Sequence, residues 1–146
     1  MELVSFVVCQ SANLGPDGTF NLLGGGRDRL AAPSFPLIVP TLTLVLRVEA
    51  HPSEVGPHRL GIRLVNADGQ LLMAPPDAEF EVAHGRRLVN FLMEVANLRF
   101  PAAGSYGFEV RLDGQHCRSW PLELVEIKSV RPGVPPPPPP PAEPQG

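Results

Sequence analysis

From Phe100 to Val125 apolar and polar positions alternate with period two, and the rest of the chain is best read outward from there. Pro101 and Gly104 open the stretch. Tyr106, Phe108, Val110 and Leu112 then take every second position, with Gly107, Glu109 and Arg111 between them. Such alternation predicts a strand with one face in a core and the other in water. Asp113-Gly114 suits the positive φ of a tight hairpin turn, and the return strand places Trp120, Leu122 and Leu124 on one face. The register around Cys117 stays open.

The same grammar recurs along the chain. Glu2 to Gln10 predicts a first strand, with Leu3, Ser5, Val7 and Cys9 on one side and Val4, Phe6 and Val8 on the other. With nearly both sides apolar, it is expected to be central or covered on both faces. Pro16-Asp17-Gly18 is a turn by its own chemistry and leads into Thr19–Leu23 as the second arm of a hairpin. Gly24-Gly25-Gly26 either kinks that strand or lets another backbone approach closely. Pro33, Pro36 and Pro40 remove ladder donors, so residues 31–40 are expected to be an extended crossing segment and not a central strand.

Thr41 to Ala50 restores clean alternation, with Leu42, Leu44, Leu46 and Val48 facing a core. Leu60, Ile62 and Leu64 repeat it, and Asp68-Gly69 turns the chain into a short return strand at Gln70–Met73. Glu79–Val82 reads as an edge strand because acids flank Phe80. Arg87 to Val95 is ambiguous. Val89, Phe91, Met93 and Val95 fit a strand face, while Leu88, Phe91, Leu92 and Val95 fit a helix. Strand neighbours and the lack of an N-cap residue favour the strand. Eight or nine short strands and no convincing helix predict an all-β fold, a single antiparallel β-sandwich of Ig-like or jelly-roll-like kind. The disulfide pattern of a true immunoglobulin domain is absent.

Composition adds a boundary. The chain has 146 residues, 43% hydrophobic, which suits one domain with one core. Nine of its nineteen prolines fall between Pro132 and Pro144, with seven in a row at Pro135–Pro141. The expected organisation is a β-sandwich domain over 1–129 and a proline-rich, disordered tail over 130–146. That tail reads either as a docking peptide for an aromatic groove or as a solubilising spacer, and composition favours the spacer. A net charge of −3, with Arg86-Arg87 the nearest thing to a basic patch, argues against nucleic acid as a partner. No basic run precedes the apolar start, and no segment approaches the roughly 20 apolar residues that span a bilayer. Membrane insertion is not expected, and the cytoplasm is the expected compartment.

Candidate chemistry is sparse. His51, His58, His84 and His116 match no compact metal spacing and read as scattered surface histidines. Asp17, Asp68 and Asp113 each precede a glycine in a turn; gathered at one end of the fold they would chelate calcium, but turn chemistry already explains them. Gly24-Gly25-Gly26-Arg27-Asp28 lacks the helix and lysine of a phosphate loop. Cys9 and Cys117 lie in separate predicted strands and read as small buried hydrophobes more readily than as a disulfide. No nucleophile elbow, Cys-His pair or paired carboxylates can be nominated, so the expectation is no enzyme, no cofactor and no catalytic residue.

Several segments together resemble a family of uncharacterised bacterial proteins known only as a domain of unknown function. They are Cys9-Gln10-Ser11-Ala12, the run from Asp17 through Gly26, Phe35-Pro36, His58-Arg59-Leu60 through Asp68-Gly69, and Leu98-Arg99-Phe100-Pro101 through Val110. The resemblance spans about residues 1–127. It departs at Arg27-Asp28, where relatives often carry an aromatic, and at a shorter segment from Ala74 to Arg86. It implies a compact all-β protein with no assigned activity, and no site residue carries over. The functional expectation is a non-catalytic module that binds another protein, its identity and the oligomeric state left open. The alternative is a small-ligand or carbohydrate binder stacking on Trp120 or Tyr106, and a hydrolase has least support.

Overall fold

The computed structural model describes residues 1–127 as eleven strands and one 3-10 turn at Pro52–Glu54. In chain order the strands are β1 (Glu2–Cys9), β2 (Ser11–Leu14), β3 (Phe20–Leu23), β4 (Arg29–Ala32), β5 (Leu37–Glu49), β6 (Gly56–Asn66), β7 (Leu71–Met73), β8 (Ala78–Val82), β9 (Leu88–Phe100), β10 (Gly104–Leu112) and β11 (Gln115–Glu126). The all-β expectation holds. The strand count is higher than expected because β2 and β4 are too short to show alternation. The expected tail lies outside the described residues, as does the last part of the expected domain, 128–129.

Three sheets form. One runs β1-β5-β9, a second β4-β11-β10-β6-β7 with β8 also on β6, and β2-β3 is a separate hairpin. The ladders are antiparallel except one: β4 pairs β11 in parallel over Glu123–Glu126, which the fully antiparallel expectation missed. The two larger sheets share one core. Leu42, Leu44, Leu46 and Val48 of β5 meet Leu60, Ile62 and Leu64 of β6, Phe108 and Val110 of β10, and Leu122 and Leu124 of β11. Aromatic rings bridge the sheets, Phe6 to Phe108 at 5.5 Å between centroids and Phe80 to Phe91 at 4.7 Å.

Three local departures from alternation decide what faces inward. In β1 a bulge between Leu3 and Ser5 pushes Val4 out, so Leu3 shares the core face with Phe6 and Val8. The expected grouping of Leu3 with Ser5 and Val7 is therefore wrong, and β1 is an edge strand of its sheet. In β11 a bulge opposite Val110 and Arg111 leaves Cys117 as the extra residue, which puts it on the surface and not in a core. The third lies where β5 crosses β9. Pro40 and Thr41 are both exposed opposite Ala96 and Asn97, also both exposed, and inward parity switches on both strands at once. Below the switch Leu42 and Val95 face the core; above it Val39, Leu37, Leu98 and Phe100 do.

Asn97 makes the switch by adopting a left-handed φ of 53°, which asparagine tolerates better than most residues. Pro40 can therefore stand inside β5, contrary to the expected crossing segment. The last β1 partner on β5 is Thr43, so at Pro40 the missing N–H disrupts no second ladder. The region Arg87–Val95 is strand, not helix, because its backbone pairs with β5 along its whole length.

The glycine triplet is a strap between sheets. Arg27 N–H donates to Val8 O at 2.9 Å and Glu123 N–H donates to Asp28 O at 2.9 Å, so the segment ties the β1 edge to β11. A Cβ at Gly24, where φ is 65°, would stand 3.0 Å from Gln10 Cβ. Close approach, one of the two expected reasons for the triplet, is the observed one.

Two substitutions test this packing. Phe108→Ala should cost about 3–5 kcal/mol in urea unfolding, since it empties the fully buried centre of both sheets. Asn97→Val should cost about 1–2 kcal/mol and Asn97→Gly almost nothing, because only the first must force a β-branched residue to positive φ.

Candidate functional site

The β2-β3 hairpin lies on the outer face of the β1-β5-β9 sheet. Thr43, Val45 and Cys9 point away from the core, yet each is buried, because the hairpin covers them. Its tip is closed by Gly15 N–H donating to Thr19 O and by Asp17, whose Oδ1 accepts from the Thr19 hydroxyl at 2.6 Å and the Thr19 N–H at 3.2 Å. Those bonds, the side-chain one foremost, hold the Asp17 carboxyl below its ordinary value. The turn chemistry expected from Pro16-Asp17-Gly18 is what builds this tip.

Between the tip and the turn joining β8 to β9 lies a cavity of about 760 Å³. Its floor is Arg47 on β5 and Asn90 directly opposite on β9. Arg47 Nε donates to Asn90 Oδ1 at 2.8 Å, and Asn90 Nδ2 donates to Gly18 O at 2.9 Å. The amide thus links the guanidinium to the hairpin tip and fixes both. Its far wall is the tight turn at Ala83–Arg86, closed by Arg86 N–H to Ala83 O and by Gly85 at a φ of 82°. Arg87 is anchored by Glu49 at 2.6 Å; Arg86 and the terminal nitrogens of Arg47 meet no carboxylate among the described residues. Asp17 and Glu81 also line the cavity. Chemically this is a concave surface with two guanidinium groups able to take a carboxylate through paired N–H donors. Arg86-Arg87 was legible in the sequence; Arg47 and Asn90 were not singled out.

A second cluster gathers at the turn joining β10 to β11. His58 Nδ1 lies 2.7 Å from Asp113 Oδ2 and Nε2 lies 2.6 Å from Glu54 O, two acceptors that only the doubly protonated ring satisfies together. The hydrogen bond to Asp113, then that to Glu54, raise the His58 pKa above its ordinary 6.5 against the opposing effect of burial. Burial by itself would raise the Asp113 carboxyl; bonds from His58 and the Arg59 N–H, with those residues' charges, outweigh it and hold it low. His58 is thus no scattered surface histidine, its side chain being 15% exposed. His51 instead caps the 3-10 turn, His116 meets Ser119, and His84 is exposed.

The remaining candidates fall apart in space. Asp17 and Asp113 are engaged in separate turns, and among the described residues no group of three or more His, Cys, Asp or Glu could hold a metal. Cys9 is buried with its thiol against Thr43 O and its pKa raised by burial, while Cys117 is free and exposed, so the two do not bond. Tyr106 is buried and donates its hydroxyl to Ala102 O at 2.6 Å. Trp120 is half-buried, stacked on Phe6 at 5.1 Å with Arg118 over its ring at 4.4 Å. Among the described residues no helix is long and apolar enough to cross a membrane.

The His58 cluster sets a pH dependence. A raised histidine pKa contributes stability that is whole below 6.5 and is lost as pH rises through the raised value. A depressed carboxyl contributes stability that is whole above its ordinary 3.8 and is lost as pH falls through the lowered value. The stability margin of the wild type over His58→Gln should therefore shrink as pH rises above 6.5 through the raised histidine value. Chemical unfolding at a series of pH values measures it, and a margin that is flat or grows would refute the ion pair.

No curated protein shows a significant match to this sequence. One family model does match it, over residues 4–125, from the β1 strand to the end of β11, and its description is a family of unknown function. That span holds nearly all the described strands, the arginine-lined cavity and the His58 cluster, and the chain belongs to this family of unknown function, DUF6941.

Proposed function

We propose that the fold is a β-sandwich, of Ig-like or jelly-roll-like kind, and that the protein works by binding another protein and not by catalysis. The observation that carries this is the arginine-lined cavity set against a sheet edge. β9 ends its sheet, and Leu88, Val89 and Asn90 at its start form part of the cavity wall. An edge strand offers a row of N–H and C=O groups to an incoming extended segment. Arg47 and Arg86 beside it favour a segment carrying carboxylates, which guanidinium forks hold in register. The partner class is thus an extended, acidic stretch of protein that adds to β9.

The alternative, a carbohydrate or small ligand stacking on an aromatic, has weaker support. Tyr106 is buried, and Trp120 already stacks on Phe6 and lies under Arg118.

Affinity capture with the wild type and with Arg47→Glu/Arg86→Glu tests the reading. The expected result is a bound protein that is retained by wild type, released by salt and lost by the variant, with both proteins melting within a few degrees of each other. Equal capture by both, or none by either, contradicts it.

A further inference from the structure

On the side of the molecule away from β9, the β1 and β11 edges leave a second groove of about 230 Å³, lined by Phe6, Val8, Gly26, Arg27, Asp28, Trp120 and Pro121. We propose that this groove is a polyproline site and that its occupant is the Pro135–Pro141 run of the same chain. The proposal stands on three observations, independent of the β9 cavity.

The first is the matching of donors to acceptors. Proline has no N–H, so a run of prolines presents only carbonyl oxygens and ring faces. A partner surface must supply apolar walls and donors. Here Phe6, Val8 and Pro121 are the walls. The donors are Trp120 Nε1, which is neither hydrogen-bonded nor sealed from solvent among the described residues, and the Arg27 guanidinium, which has no ion pair there. Trp120 is held in place by its stack on Phe6, so its ring is fixed before anything binds.

The second is an open edge. β4 pairs β11 only from Glu123 onward, which leaves the Trp120-Pro121 part of β11 unpaired on its outer side among the described residues. The wall across from it is the Gly26-Arg27-Asp28 strap, where Gly26 has no side chain to fill the slot and none of the described residues stands within 4 Å of where a Cβ would be.

The third is reach. Ile127 is seven residues past Trp120, a distance of about 23 Å along an extended strand. The eight steps from Ile127 to Pro135 span up to about 26 Å, so a tether that turns back directly after Ile127 brings the run to the groove of its own chain. A tether this short gives an effective concentration on the order of millimolar, enough to fill a weak site.

Trp120 is the single tryptophan, so both its emission and its indole N–H resonance report this site alone. The test compares the full chain with a full-length Pro136→Gly/Pro138→Gly/Pro140→Gly variant. Breaking the run should red-shift the emission, raise acrylamide quenching about twofold and move the indole Nε1–H resonance, with the melting curve of the core nearly unchanged. A synthetic peptide of residues 131–146 should reverse these changes in the variant only at about millimolar concentration. Signals unchanged by breaking the run overturn the proposal. So does a wild-type signal that decays on dilution, since the segment would then come from a second copy. A variant that melts far lower is replaced by Arg27→Ala in the intact chain, in which the same red shift is expected and an unmoved spectrum counts against the site.

Discussion

The structure depends on β5 being saturated in every direction. Its backbone pairs with β1 on one side and β9 on the other, so its N–H and C=O groups are spent within the sheet from Thr43 to Glu49. Its inner side chains, Leu42 to Val48, are sealed in the shared core, and its outer ones, Thr43 and Val45, lie under the β2-β3 hairpin. Backbone groups buried without partners cost about as much as a lost hydrogen bond, so a strand covered on both faces must have both ladders complete. The Thr43 hydroxyl is the exception, buried with no partner among the described residues, a local cost of placing a polar side chain under the hairpin.

The arginine-lined cavity follows from that arrangement. A hairpin laid on the outer face of a sheet stops covering it where its strands end, and at that boundary the next outward residue of β5 is Arg47. Asn90 reaches from β9 to the tip and fills the gap in hydrogen bonding, which is why a guanidinium can sit at the edge of an apolar interface and stay ordered. The β10-β11 turn is tied differently. Asp113 caps the β10-β11 turn with a carboxylate that accepts from both Arg59 N–H and His58, so the same acid that the Asp-Gly turn requires also joins β6 to the hairpin.

Much of the fold was legible because period-two alternation reports burial directly. Leu42 to Val48, Leu60 to Leu64 and Tyr106 to Leu112 are buried as their spacing requires. What escaped were places where one residue breaks the period. The Leu3-Ser5 bulge, Cys117 and the paired switch at Pro40 and Asn97 are each set by a partner strand distant in sequence. β4 and β2 carry four residues each, too few for a period to appear. For the candidate site, Asp17-Gly18 and Arg86-Arg87 were visible as local chemistry. Arg47 looked like any polar residue on the open side of a strand, and Asn90 like a loose member of an ambiguous segment. Only the register of β5 against β9 places them opposite one another. The same holds for His58 and Asp113, which are 55 positions apart.

Native-state hydrogen exchange resolved by residue tests the central role of β5 most directly. Because its ladders are closed on both sides and both faces are covered, the amides of Thr43 to Val48 should exchange only through global unfolding, with the free energy that chemical denaturation gives for the whole domain. The β2-β3 amides should open locally at lower cost. Exchange of the β5 amides through local opening, or β2-β3 amides protected as strongly as those of β5, would contradict the account.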